Sequence, residues 1–556
     1  MKGFDLQRLP RAAVYLALLV ALCVPFVARW RLPVFVSDAT RGVYDTVERV
    51  QRETPQRPVF VMSSWGPGTQ GENRPQLAAV VRHLFRLRQP FVIFSVALDP
   101  LTPQMSEAVL REELAREQAR AASNGVPCTL AYGVHFANLG FKGLAAPTAA
   151  PLIQALDNNL PGLIVNDYYG TPVAQLPVLT GITSLAQCSM VICIGAGTEG
   201  EDVLGVFRPQ HPEVPIAIGT MALVCTRLYP YFDSRQVVGL LDGLNGAMEY
   251  MALLDPTEGS TQRGNAMTMA RLFIIALIVI GNAGMLYRRA RHGAALPAAP
   301  PAPATRQARA WPQRIALVWS VLFFAALAVE IAWVWRHGGQ WTWERAGAWT
   351  AAFCTIGMLS FALGDNIIYR VLEHVIIGSA AAYGLYAISN DVLLPSFFLK
   401  VAQGGAQYAW LLVLIPSALW FTVYSRRWAW TNKLVVGLLM GVTAGITFQK
   451  FIGMNIPQVL ESFKPLVQAG ADGVRVTGAN LANAVYMLTM IAVLYYFIFC
   501  FRRTTAPARA ADRVGRMLMM TAFGAMFGNT VATRLSWLID RLDDLAAWIT
   551  GMPFWQ

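Results

Sequence analysis

Charge, catalytic signatures and paired cysteines are what this sequence has least of. Only 14% of its 556 residues are charged and 55% are hydrophobic, where soluble domains carry about 25% charge. No GxSxG, HExxH or SxxK occurs, so the common hydrolase signatures are missing and no catalytic residue can be named. The seven cysteines form no CxxC pair and no CxxxH cluster, which argues against structural zinc; neither metal nor cofactor is expected. No internal repeat relates the apolar runs, so an inverted-repeat transporter has no support. The net charge of +12 would suit nucleic acid in a soluble chain. In an apolar one, Lys and Arg mark cytoplasmic loops, and the expected partner is the lipid bilayer, not nucleic acid.

What is present is a series of apolar runs near the ~20 residues that cross a bilayer. The first, Ala12 to Trp30, follows the basic Lys2, Arg8 and Arg11 and has no small-x-small cleavage site. It reads as an uncleaved signal anchor within residues 1–31. A long, mostly polar stretch over 32–266 follows. Further runs lie at Met267–Tyr287, Ile315–Trp335, Ala346–Leu363, Val371–Ile388, Trp410–Tyr424, Leu434–Ile452, Ala484–Phe501 and Met517–Trp537, giving about nine spans. One set of alternate loops holds Arg288, Arg289, Arg291, Arg306, Arg309 and Arg314, then Arg370, then Arg426, Arg427 and Lys433, then Arg502, Arg503, Arg509, Arg513 and Arg516. The opposite set is sparse. The expectation is a multi-pass protein of the cytoplasmic (inner) membrane with its N-terminus inside and residues 32–266 extracytoplasmic. Residues 288–314, basic and rich in Ala and Pro, read as a disordered cytoplasmic linker. They part an N-terminal module, closed by the span at 267–287, from a seven-span membrane domain over 315–556.

Within 32–266, short apolar strands alternate with helical stretches. Strands are expected at Pro58–Ser64, Phe91–Leu98, Thr129–Val134, Gly162–Asn166, Met190–Ile194 and Pro215–Gly219, with helices at Arg74–Leu87, Pro103–Ala122 and Thr180–Gln187. Near-continuous apolar strands separated by helices imply a doubly wound, Rossmann-like α/β domain with a mostly parallel sheet. The fold class is therefore α/β plus α-helical membrane. The segment Tyr229–Leu254 repeats apolar residues at helical spacing, broken by Gly239, Gly243 and Gly246. It is expected to dock the domain onto the membrane block or a neighbouring subunit.

Ligands of such sheets bind beyond the carboxyl ends of the strands. Candidate residues there are Ser63, Ser64, Gly66 and Gly68 in SSWGPGTQ, Asp99, Asp167 in NDYYGTP, and Glu199 in CIGAGTEGED. Asp99, Asp167 and Glu199 could converge as a carboxylate cluster. Gly195, Gly197 and Gly200 spell GxGxxG, but Glu199, Glu201 and Asp202 would repel a pyrophosphate, so the run reads as a glycine-rich turn. His135 and His211 have no partner that spacing can assign. Cys128, Cys188, Cys193 and Cys225 read as buried residues rather than disulfides.

In the membrane part, Asp365, Asn366, Arg370, Glu373 and His374 crowd a turn between two apolar runs. Arg370 can reach Glu373 and His374 at i+3 and i+4, which suits an interfacial latch. Glu330 lies about 7 Å from the outer end of its run at 1.5 Å per residue; Lys450 and Arg534 are possible partners. The half-apolar segments Asn390–Gln407 and Gly453–Asn483 read as interfacial helices or as surfaces that meet the α/β domain or another chain.

The pieces FALGDNIIYRVLEH, FKPLVQ, FGNTVATRLSWLIDRL and LYPYFDSRQVVGLLDGLNGAMEY resemble a family of uncharacterised prokaryotic multi-pass membrane proteins with an N-terminal extracytoplasmic α/β domain. The resemblance implies that architecture and carries no activity. The function expected is that of a non-enzymatic subunit or scaffold of a cell-envelope complex, whose α/β domain binds a protein partner or an envelope component, or a second copy. The alternatives are a transporter or channel component using Glu330, and an envelope enzyme acting at the Ser63 and Asp167 loops.

Overall fold

A computed structural model describes residues 11–28, 34–96, 101–125, 127–141, 149–255, 262–292, 307–337, 341–466, 477–498 and 505–550. Among the described residues the protein is mostly helical and contains a six-stranded parallel sheet. The strands are β1 (Val59–Ser64), β2 (Phe91–Ser95), β3 (Phe136–Phe141), β4 (Met190–Gly195), β5 (Ile216–Thr220) and β6 (Gly239–Asp242). Their order is β3-β2-β1-β4-β5-β6. β1 pairs with β2 on one side (Val59 opposite Phe91) and with β4 on the other (Val59 opposite Met190). The winding therefore reverses between β1 and β4, and that reversal opens a crevice beyond the strands' carboxyl ends.

The sheet is buried on both faces, as its near-continuous apolar strands require. Val59, Val61, Phe91, Ile93 and Ile192 point into one core, while Phe60, Met62, Val92, Phe94 and Cys193 point into the other. The first core is closed by α2 (Asp38–Glu53), α3 (Gln70–Leu87), α4 (Thr102–Ser123) and α10 (Gly243–Leu254), through Val43, Leu77, Leu84, Val109 and Tyr250. The second is closed by α5 (Ala150–Asn158), the one-turn α6 (Leu160–Leu163), α7 (Glu199–Val206), the short α8 (Ala222–Cys225) and α9 (Tyr229–Asp233).

Four expected strands form within a residue or two of their places; residues 97–98 of the second lie outside the described part. Thr129–Val134 is not a strand. Gly133 there takes a positive φ of 78°, and the edge strand starts later, at Phe136, where Asn138 and Gly140 had hidden it. Gly162–Asn166 is not one either: α6 ends at Leu163, and Asn166 makes an isolated antiparallel bridge to Pro172. Of Thr180–Gln187 only Leu185–Gln187 is helical, as one 3-10 turn.

Tyr229–Leu254 is not one helix. It holds α9, β6 and α10; its glycines serve packing inside the domain, while Asp233 and Gln236 bond Lys464 and the Met454 carbonyl of the chain that follows α17 (Ala429–Lys450). A Cβ on Gly239 would stand 2.3 Å from the carbonyl oxygen of Ala39 in α2, and one on Gly246 would stand 2.6 Å from the backbone of Leu241.

The other helices are α1 (Arg11–Ala28), α11 (Gln262–His292), α12 (Gln307–Arg336), α13 (Trp343–Leu359), α14 (Ile367–Ala387), α15 (Leu399–Ala402), α16 (Leu414–Trp420), α17 (Ala429–Lys450), α18 (Ile456–Glu461), α19 (Thr477–Phe497) and α20 (Ala506–Thr550). Among the described residues four helical stretches are long and apolar enough to cross a membrane: Arg263–Gly284, Gln313–Arg336, Gln407–Tyr424 and Asn480–Phe497. The other expected spans coincide with α1, α13, α14, α17 and α20, whose apolar stretches are shorter or interrupted by charge. The linker expected to be disordered over 288–314 is helical at both ends, in the last turn of α11 and the first turns of α12. Its middle, 293–306, lies outside the described residues.

By its contacts the chain divides into two compact units. One comprises Val34–Gly259 and Ala387–Arg534; the other comprises Met1–Pro33, Ser260–Tyr386 and Leu535–Gln556.

Candidate functional site

The crevice between β1 and β4 is where a doubly wound sheet places a ligand, and here the chain's own polar groups occupy it. α3 begins at Gln70, four residues earlier than its apolar periodicity suggests, and its first turns carry Glu72, Asn73 and Gln76, all fully buried. The Gln76 amide donates to the carbonyls of Thr220 (2.9 Å), Leu241 (3.0 Å) and Gly243 (2.8 Å). Asn73 donates to the Gly195 carbonyl at 3.3 Å. A Glu72 oxygen accepts the Ala222 amide at 2.9 Å. One helix start thus ties down the ends of β4, β5 and β6. Among the described residues, Ser64 Oγ, Trp65 Nε1, Asn73 Oδ1 and Thr220 Oγ1 in this layer have no hydrogen-bond partner. Glu72, Asn73 and Gln76 were missed in the sequence. The signal was there: Glu72 and Gln76 stand at i and i+4 on the face that continues into the apolar residues of α3.

The candidates after β1 have structural duties. The Ser63 hydroxyl pairs with the Ser106 hydroxyl of α4 at 2.9 Å, and Ser64 is buried. Gly66 accepts the Thr69 amide at 3.0 Å in a tight turn, while Gly68 is open on its outer side.

After β4, the GxGxxG run makes a closed loop. A Glu199 carboxylate oxygen accepts the Gly197 amide at 2.9 Å, taking the donor that a phosphate would need. A Cβ at Gly195 or Gly197 would come within 2.9 or 3.0 Å of that carboxylate, and one at Gly200 within 2.9 Å of Ile218. A side chain at Gly195 or Gly197 would push the Glu199 carboxylate out of the loop, and one at Gly200 would meet Ile218 on the sheet. Burial pushes the Glu199 carboxyl above its ordinary pKa. The cleft between Gly195, Glu199 and Thr220 has no room for a water molecule. Asp202 is likewise committed, accepting the Ala149 amide at 2.8 Å.

Asp167 does not join Glu199. Its oxygens accept the amides of Tyr169 (2.9 Å) and Thr171 (2.7 Å) and the Tyr132 hydroxyl (3.0 Å), which makes it the pivot of a turn lying on edge strand β3. Three strand spacings part β3 from β4, about 14 Å. Asp167 and Glu199 are therefore not brought together, and Asp99, the third carboxylate of the expected cluster, lies outside the described residues. Beside Asp167, Glu107 is fixed by Asn138, Arg111 and the Tyr169 hydroxyl.

His211 has Asp157 at 2.7 Å, and Ser184 donates to the other oxygen of that carboxylate at 2.8 Å. With aspartate in the middle, the serine is not activated, since a nucleophile needs the histidine beside it. His135 accepts the Ala131 amide at 3.2 Å. His83, unremarked in the sequence, is buried between the Tyr250 hydroxyl (2.8 Å) and Glu48 (3.3 Å). Burial lowers its pKa to about 4. Cys23, Cys128, Cys188, Cys193, Cys225 and Cys354 are free thiols. Among the described residues no group of three or more His, Cys, Asp or Glu could hold a metal ion.

In the helical part, Glu330 accepts the Trp349 indole N–H at 2.6 Å from the next helix, with Arg345 at 3.9 Å. Lys450's side chain lies outside the described residues, and Arg534 stands on α20 with its side chain exposed. The polar turn before α14 is a helix cap: Asn366 Oδ1 accepts the Tyr369 amide at 3.0 Å, and its amide donates to Ser360 at 2.8 Å. Arg370 pairs with Asp365 rather than Glu373. His374 bonds the Arg370 carbonyl at 2.6 Å, and Glu373 accepts the Tyr369 hydroxyl at 3.4 Å. The Asp365 pair wins because that residue, outside the helix, can turn back along the guanidinium.

No protein-family model matches the chain, and no curated protein or solved structure matches it either.

Proposed function

We propose that this chain is a multi-pass protein of the cytoplasmic membrane, with about nine spans and residues 32–266 on the outer side, acting as a non-enzymatic subunit whose α/β domain recognises a partner protein. The four long apolar helices and the basic residues confined to alternate loops support the membrane placement. The observation that carries the recognition reading is the filled crevice: Gln76, Asn73 and Glu199 occupy the positions where a doubly wound sheet would take a small ligand. The Glu330–Trp349 bond supports packing rather than ion conduction in α12 and α13.

A surface suited to a protein partner lies along β3, where Leu163, Val165, Tyr168 and Tyr169 are exposed beside Arg111. Tyrosine and arginine around an apolar centre are the composition of protein interfaces.

The test is gentle extraction of the full chain, mass determination, and identification of what co-purifies. The reading expects a stoichiometric partner that Val165→Asp together with Tyr168→Ser releases without lowering the melting temperature. A clean monomer with no partner would overturn it.

A further inference from the structure

α17 does not stop at the end of its apolar run. It continues as a π-helical turn, Phe451–Asn455, and then as α18. This continuation enters the α/β domain. Met454 is 4% exposed and belongs to the core cluster that covers the α7 face of the sheet. Its carbonyl accepts the Gln236 amide at 3.4 Å. Gly453 lies so close to α7 that a Cβ there would stand 3.1 Å from the Gly205 carbonyl oxygen and 3.0 Å from Pro209. Farther on, Gln458 lies beside the Tyr231 hydroxyl, and Lys464 donates to the Asp233 carbonyl at 3.2 Å.

The opposite end of α7 is the Glu199 loop, where the helix begins. α7 is eight residues long, with Val203 and Leu204 buried on the sheet. It is thus a short rod with the crevice loop at one end and the continuation of α17 at the other. We propose that Phe451–Phe463 is a coupling strap, through which the position of α7 sets the register of the last turns of α17. A π turn holds one residue more than an α turn and sits in helices at functional sites. Converting it to α register withdraws Met454 from its seat, and displacing α7 at Gly205 drives that conversion. Coupling of this kind is reciprocal, so a change at either end must appear at the other.

Hydrogen exchange on the full-length, detergent-extracted protein tests this. Met454→Asp should speed exchange by about tenfold or more, a loss of roughly 1.4 kcal/mol, in Glu199–Phe207 and in residues 443–455 together. Met454→Leu should leave both unchanged. If Met454→Asp does not yield folded protein, Gly453→Val, which strains the same contact, takes its place. In the reverse direction, Glu199→Ala should raise exchange in residues 451–463. Thr533→Val breaks a separate contact, from Thr533 to the Leu223 amide, and should leave α7 unchanged. Faster exchange confined to the mutated segment, in either direction, would overturn the proposal.

Discussion

Glu199 and Glu330 are both carboxylates drawn at least partly out of water, and the two regions that hold them satisfy them differently. In the α/β domain Glu199 turns back two residues to a backbone amide. In the helical region Glu330 reaches nineteen residues along the chain, to an indole on another helix. A helix uses its backbone donors internally, so a buried acid there must find a side chain. A loop at the end of a strand has backbone donors to spare. The difference teaches where a polar residue reports architecture and where it reports a site. In the α/β domain the informative polar groups are those bound to the ends of other strands. In the helical region they are those that join helices.

The largest test of this contrast is acid. His83 has its pKa lowered to about 4 by burial, with Arg86 adding to that effect and Glu48 opposing it. The unfolded chain binds the proton near pH 6.5 and the folded one near 4, so the stability contribution is full above 6.5 and is lost as pH falls towards 4. It is on the order of 3 kcal/mol. Melting of the extracted protein should drop across that window, and His83→Gln should flatten the slope. A profile that rises on acidification would contradict the buried neutral imidazole.

Next is Gln76→Leu, which deprives three strand-end carbonyls of their donor. A loss of about 2 kcal/mol is expected, read by denaturant midpoint. A neutral result would mean that water replaces the amide.

Smaller is the interhelical bond. Trp349→Phe should lower stability by about 1 kcal/mol, while Glu330→Gln, which keeps the accepting oxygen, should preserve folding and function. If Glu330→Gln abolished function in folded protein, the contrast would break and the conduction reading would return. Smallest is the cap before α14: Asn366→Ala should reduce stability by about 0.5–1 kcal/mol, and Arg370→Gln should not change it measurably, because that ion pair is solvated.

The sheet was largely legible because β1, β2, β4 and β5 are unbroken apolar runs, and only a strand buried on both faces needs that pattern. β6 was not. Its four residues start with Gly239 and are followed by Gly243 in a stretch with helical spacing, and only the close approach to α2 at Gly239 explains them. β3 was displaced because Asn138 and Gly140 serve the turn laid against it, and that partner is more than twenty residues away in sequence. The glycine-rich run after β4 leads from the strand into α7, with Glu199 folded back onto the Gly197 amide. The buried trio on α3 escaped because the apolar periodicity starts at Arg74, four residues after the helix itself begins at Gln70.

The Glu199 carboxylate has one more consequence, in the language of competition. A group tethered two residues from the amide it binds acts at an effective concentration in the millimolar range or above. Any free anion must outcompete a ligand that never diffuses away. The loop is in that sense permanently titrated by its own sequence. An anion that cannot displace Glu199 from the Gly197 amide leaves this loop as it is.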